Sequence, residues 1–156
     1  MLIISVFHTL LTIFVMFYGY FTQKNKFDFF YLFYGYSVIL SWTFFNGECL
    51  ISYYYKKLTN SKDNSIYSHD LDVIFGKKYE AVLKKYHESI FKVVEILLLV
   101  SFYLVMVRQR FPMTSIFILL FIHASYYITI INNMHFHNLF RVLSIGGLLY
   151  ILSRWK

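Results

Sequence analysis

The chain is poor in charge, cysteine and proline. Only 15% of its 156 residues are Asp, Glu, Lys or Arg, where a soluble domain carries about 25%. So few charges make an ordinary water-facing surface hard to build, and the deficit points to a membrane. Acidic residues are scarcest, 8 against 15 basic ones for a net charge of +7. A nucleic-acid binder would gather that excess on one solvated stripe. Here the basic residues sit in loops and at the ends of apolar runs, so nucleic acid is not expected as a partner. Cys49 is the single cysteine, which excludes an internal disulfide. No Asn-x-Ser/Thr acceptor occurs, which removes one sign of a secreted, glycosylated chain. The N-terminus has no basic region and no small-residue cleavage site, so its first apolar run reads as a retained helix. No P-loop, dinucleotide glycine fingerprint or nucleophile elbow is present. Nothing in the sequence therefore asks for a cofactor.

What the chain has in quantity is apolar and aromatic sequence. Apolar residues make up 58% and aromatics 22%, led by 18 Phe and 15 Tyr. The pattern predicts one all-α domain over 1–156, a multi-pass transmembrane bundle of four long spans plus a short fifth helix. The spans fall at 2–22, 29–55, 90–107 and 111–131, and the fifth helix at 139–155. A run of 20 residues crosses about 30 Å of hydrocarbon at about 1.5 Å per residue. The 29–55 run is over-long for one crossing. It ends in Trp42-Thr-Phe-Phe-Asn-Gly-Glu-Cys-Leu-Ile-Ser-Tyr-Tyr-Tyr-Lys56-Lys57, which places Glu48 and Cys49 inside apolar sequence. Pro112 suits the first turn of the helix that follows Arg108-Gln-Arg110.

The polar segment 58–90 opens as a flexible loop, Thr59-Asn-Ser-Lys-Asp-Asn-Ser65. Its second half has helical periodicity, with Tyr79, Val82, Leu83, Tyr86 and Ile90 on one face. Glu80–Lys84 and Lys84–Glu88 are supporting i,i+4 pairs. Two readings stand for it. It is either an amphipathic helix in the headgroup plane, with Lys77, Lys78, Lys84 and Lys85 on the membrane surface, or a solvated extension of the third span. The positive-inside rule orients the chain with its N-terminus and the 56–90 loop cytoplasmic. If the last helix does not cross, eleven basic residues lie inside and four outside, namely Lys24, Lys26, Arg108 and Arg110.

This topology brings ionisable groups towards one leaflet: His8, Glu48, Glu95 and His123, followed by His135 and His137. Such groups cost roughly 2.5–3.5 kcal/mol at a helix centre in hydrocarbon, so they turn inward or into a wet cavity. His8, Glu48 and Glu95 are the catalytic candidates. A metal would draw on those three with His123, or on the pair His135 and His137. No Glu-x-x-His or His-Glu-x-x-His spacing supports either set. Each group also has a plain reading: Glu95 is three residues from Lys92 and can be neutralised by it, while His123 falls opposite Ser125 on its helix. Small and polar stripes (Ser5, His8, Thr12 and Gly19; Ser37, Ser41, Glu48 and Ser52) fit helix packing at least as well as function.

His8, Phe14 and Gly19 in the first span, with Trp42, Gly47 and Cys49-Leu50 after it, resemble a family of small four-helix bacterial membrane proteins of unknown function. Similar proteins occur in large DNA viruses of protists. The likeness covers residues 1–58. The family's Cys-Pro-Leu-Thr is here Cys49-Leu-Ile-Ser52, and Tyr55 stands where its glutamate falls. The resemblance implies a fold and no reaction. The functional expectation is a small integral membrane protein, non-enzymatic, that organises a lipid bilayer or holds a protein partner through the 56–90 loop. Homo-oligomerisation stays open. The alternative is an intramembrane enzyme, carrier or proton or ion pathway built on the His/Glu cluster.

Overall fold

The computed structural model describes residues 2–45, 50–59, 80–131 and 137–155. Within them the chain is all-α. Six helices are described: α1 (Leu2–Phe21), α2 (Phe27–Phe44), α3 (Leu50–Thr59), α4 (Glu80–Arg108), α5 (Met113–Ile131) and α6 (His137–Arg154). α1 lies along α4, and α2 lies along α6. α4 meets α5, α5 meets α6, and α2 also touches α4, so that α2 and α4 join the two pairs.

The inward face of α2 explains that position. Asp28, Tyr31, Leu32, Gly35, Tyr36, Ile39 and Thr43 are buried, an i, i+3/i+4 stripe of the kind one helix face presents. They pack with Phe102, Val105 and Met106 of α4, Ile116, Leu119 and Ile122 of α5, and Ile151 of α6. Two glycines let helices come close. A Cβ on Gly35 would collide with the Phe102 ring, and one on Gly19 would collide with the Ser101 backbone. At the second crossing Gly19 N–H donates to Ser101 Oγ at 2.8 Å. Tyr31 OH donates to the Val15 carbonyl at 2.9 Å and lies 2.7 Å from Ser101 Oγ. One hydroxyl chain thus ties α1, α2 and α4 together. Burial pushes the Tyr31 phenol up, against the Ser101 hydrogen bond, so it stays a neutral donor.

The transmembrane reading requires correction. Among the described residues no helix is long and apolar enough to cross a membrane. The expected 29–55 span is not one helix: α2 stops at Phe44 and α3 starts at Leu50. At about 1.5 Å per residue, the 18 residues of α2 and of α6 reach about 27 Å, short of about 30 Å of hydrocarbon. α2 also carries Asp28, and α4 carries Lys92 and Glu95 along its course. α1 reaches about 30 Å only by including His8, Thr9 and Thr12. With the crossings go the integral membrane localisation and the orientation built on it. Of the two readings of the stretch before 90, an amphipathic helix apart or an extension of the helix that follows, the chain from Glu80 onward is the first part of α4 itself. Residues 60–79, with Lys77 and Lys78, lie outside the described residues.

The end of α4 is a Schellman turn. Phe111 N–H bonds to the Met106 carbonyl at 3.0 Å and Arg110 N–H to that of Val107 at 2.9 Å, the paired pattern of that motif. Arg110 takes the left-handed position, with φ of 60°. Phe111 is buried and packs its ring on Phe29 and Tyr150. The Pro112 carbonyl then receives Ile116 N–H, which starts α5.

Candidate functional site

Three helix ends meet at one polar centre. Asp28 is fully buried in the first turn of α2, where a negative charge is favoured by the helix dipole. Arg108 arrives from the last turn of α4, where a positive charge is favoured. Its Nε donates to Asp28 Oδ2 at 2.8 Å and its Nη2 to Oδ1 at 2.5 Å, a two-pronged pair. The remaining hydrogens of the guanidinium go to the end of α1. Nη1 donates to the Gly19 and Thr22 carbonyls, and Nη2 also to Thr22 Oγ1 at 2.7 Å. These are orphan acceptors of a helix C-terminus. Gln109 Nε2 adds a bond to Asp28 Oδ2 at 2.6 Å, and Tyr18 OH one to Oδ1 at 3.0 Å.

Tyr18 stacks on Tyr31 with ring centres 4.4 Å apart, and Arg108 lies over the Tyr18 ring at 5.4 Å. Burial alone would push the Asp28 carboxyl up. The hydrogen bonds from Arg108, Gln109 and Tyr18 outweigh it and hold the group below its ordinary value. Burial, together with the Asp28 charge, pushes the Tyr18 phenol up. Every partner is therefore in the protonation state its bonds require. The cluster is a closed joint.

The second centre lies between α4 and α5. His123 Nε2 stands 2.6 Å from Glu95 Oε1, with the two side chains 1% and 8% exposed. The separation is that of an ion pair, but the angles are not those of a hydrogen bond. Neither imidazole nitrogen nor Glu95 Oε1 has a protein hydrogen-bond partner among the described residues. The two groups are thus in close contact with no hydrogen bond joining them. The rings of Trp42 and Phe102 meet the imidazole edge-on at 6.4 and 5.6 Å. A carboxylate beside an imidazole is the pairing used in acid–base catalysis, yet these walls leave no open face for a reactant to meet His123.

Of the residues singled out from the sequence, the structure unites Glu95 and His123. Glu95 meets a histidine of another helix, and both side chains turn inward. His8 is half-buried on α1, and its carbonyl accepts the Thr12 hydroxyl at 2.9 Å. Glu48, Cys49 and His135 lie outside the described residues, as do the side chains of His137 and Lys84. Lys85 is exposed, with its ammonium 5.3 Å from the Tyr86 ring centre. Among the described residues no three His, Cys, Asp or Glu side chains are grouped to hold a metal ion. A surface cleft lined by Lys26, Phe27, Phe30 and Trp155 uses none of the site candidates.

Asp28, Arg108 and Gln109 were missed as a site. Asp28 is the only acidic residue in the first 47, a signal that a lone acid near apolar sequence needs a basic partner. At the other end of α2, Arg141 of α6 plays a similar capping part. Its Nε and Nη2 donate to the Thr43 carbonyl at 3.0 and 2.8 Å, and its guanidinium lies 4.6 Å from the Phe44 ring centre. No protein-family model, curated protein or solved structure matches the chain.

Proposed function

We propose that the chain is a non-enzymatic interaction component, a helical frame held together by inward polar pairs that offers apolar helix faces to a protein partner. The observation that carries this reading is the outward row on α4. Val93, Ile96, Val100, Tyr103 and Val107 are all exposed, and their 3-4-3-4 spacing is that of a seam between packed helices. Left in water, such a row forgoes about 25 cal/mol for each Å² it could bury. Among the described residues, Glu95 and His123 of the chemistry candidates are buried away from this row. A partner that supplies a complementary apolar helix face covers the row and recovers that energy.

A photo-crosslinking residue at Ile96 of the full chain, expressed in cells, tests this. The expected result is a protein adduct that disappears when Val100→Lys is added, with helix content by circular dichroism unchanged. A probe at Lys85 on the same helix serves as control. Adducts to lipid alone, or an equal protein adduct from Lys85, would overturn the reading. A second reading, that the Glu95–His123 pair carries a proton or an ion, rests on the burial of both groups. It requires water to reach the pair past Trp42 and Phe102.

A further inference from the structure

We infer that the outer face of α1 is the seam of a homodimer, formed by antiparallel pairing with α1 of a second copy of this chain. The inference rests on the interaction reading above, extends it to a second apolar face and names the partner of that face. α1 carries its own outward row, Ile3, Phe7, Leu10, Phe14 and Phe21, which are 82%, 62%, 59%, 57% and 83% exposed. Phe17 completes the row, so the 4-3-4-3-4 spacing places Phe7, Phe14 and Phe21 at one seam position and Ile3, Leu10 and Phe17 at the other.

Two properties of this face select a second copy. The first is area. With large aromatic side chains burying about 150–250 Å² each, the exposed parts of the row offer roughly 700 Å² per copy. A stable two-protein interface takes about 800 Å² from each partner, so one helix face nearly suffices. The second is charge. The chain is +7 overall, and a self-pairing surface must keep like charges apart. α1 has no Asp, Glu, Lys or Arg along its length, so two copies of the row meet without any charge being buried. Lys24 and Lys26 follow the helix directly. Parallel pairing would bring the four lysines of two copies to one end. Antiparallel pairing separates the two sets by about 30 Å, the length of a 20-residue helix, and also opposes the helix dipoles.

Antiparallel seating sets Ile3 against Phe21 of the second copy and Leu10 against Phe14. The experiment uses the full chain in a Cys49→Ala background, with copies carrying two different tags. Ile3→Cys in one copy and Phe21→Cys in the other form a disulfide between copies under mild oxidation, as do Leu10→Cys and Phe14→Cys. Ile3→Cys copies by themselves do not. Phe7→Glu with Leu10→Glu cuts co-purification of the two tags by about tenfold or more, because buried anchor positions dominate binding, while circular dichroism reports the fold intact. Disulfides between Ile3→Cys copies alone would show parallel seating and overturn the inference. A chain that stays single and instead floats with phosphatidylcholine vesicles overturns it as well. If copies fail to associate while the Ile96 protein adduct persists, the homodimer falls and the interaction reading stands. If both are lost, both fall.

Discussion

Replacing Arg108 with Met keeps much of the side-chain volume and removes the charge. Asp28, fully buried, would keep bonds from Gln109 and Tyr18 but lose both prongs of its ion pair. The Gly19 and Thr22 carbonyls would lose their donor at the same stroke. Breaking a buried pair by removing one partner costs about 3–5 kcal/mol, most of it the uncompensated charge left behind. For a chain of this size about 1 kcal/mol moves the midpoint by 2–4 °C, so the expected fall in Tm is about 6–20 °C. Asp28→Asn should cost a similar amount, since its amide hydrogens would face donors of Arg108 or Gln109. The pair replaced together should cost less than the sum of the single changes, by about 1–3 kcal/mol.

Thermal unfolding of the four proteins, followed by circular dichroism at neutral pH, measures all of this. Acid titration adds an independent arm. The Asp28 carboxyl is held below its ordinary value of 3.8 in the folded chain, so the unfolded state binds the proton first as pH falls. The joint's contribution is then complete above about pH 4 and drains away as pH drops through the folded value. Asp28→Asn should flatten that part of the curve. Single substitutions that add without coupling, or that leave Tm within a degree of the parent, would refute the joint as a source of stability.

Arg110→Gly should raise stability by about 0.5–1 kcal/mol, because glycine takes the left-handed C′ position without the steric cost that Arg110 bears at φ 60°; chemical denaturation would show a higher midpoint at constant slope. Glu95→Leu or His123→Leu alone should cost about 1–3 kcal/mol, because the other polar group stays buried, while both together should be close to neutral, since apolar side chains can replace a buried polar pair. A double variant as damaged as the worse single one would count against that pairing.

The helices were largely legible because apolar runs of this length have few alternatives. Their partners were not. In α2 both faces are apolar, so the inward stripe at Tyr31, Leu32, Gly35, Tyr36 and Ile39 cannot be told from its exposed neighbours Phe27, Phe30 and Phe44 by periodicity. The break after Phe44 was hidden for the same reason, as Phe45 and Leu50–Tyr55 continue the apolar composition across it. Arg108 was counted as an orientation charge at the edge of a membrane. The same residue in the fold is a partly buried cation serving three helix ends, and a count of charges by loop cannot separate the two roles.

That difference bears on how the whole chain is built. Where water-facing surfaces are charged and cores apolar, polar residues identify the outside. Here the buried polar groups Asp28, Glu95, Ser101 and His123 mark the inside of the bundle, and Ile3, Phe21, Phe121 and Val142 mark its outside. The inward pairs give particular helix contacts a specific mate, since Arg108 can satisfy Asp28 and the end of α1 together only in one register. Apolar packing alone would not discriminate so sharply among faces that are nearly all Phe, Leu, Ile and Tyr. The joint at Asp28 therefore selects the fold as well as stabilising it. A frame fixed from within in this way can leave its outer rows free to evolve for contact, which is what an interaction component requires.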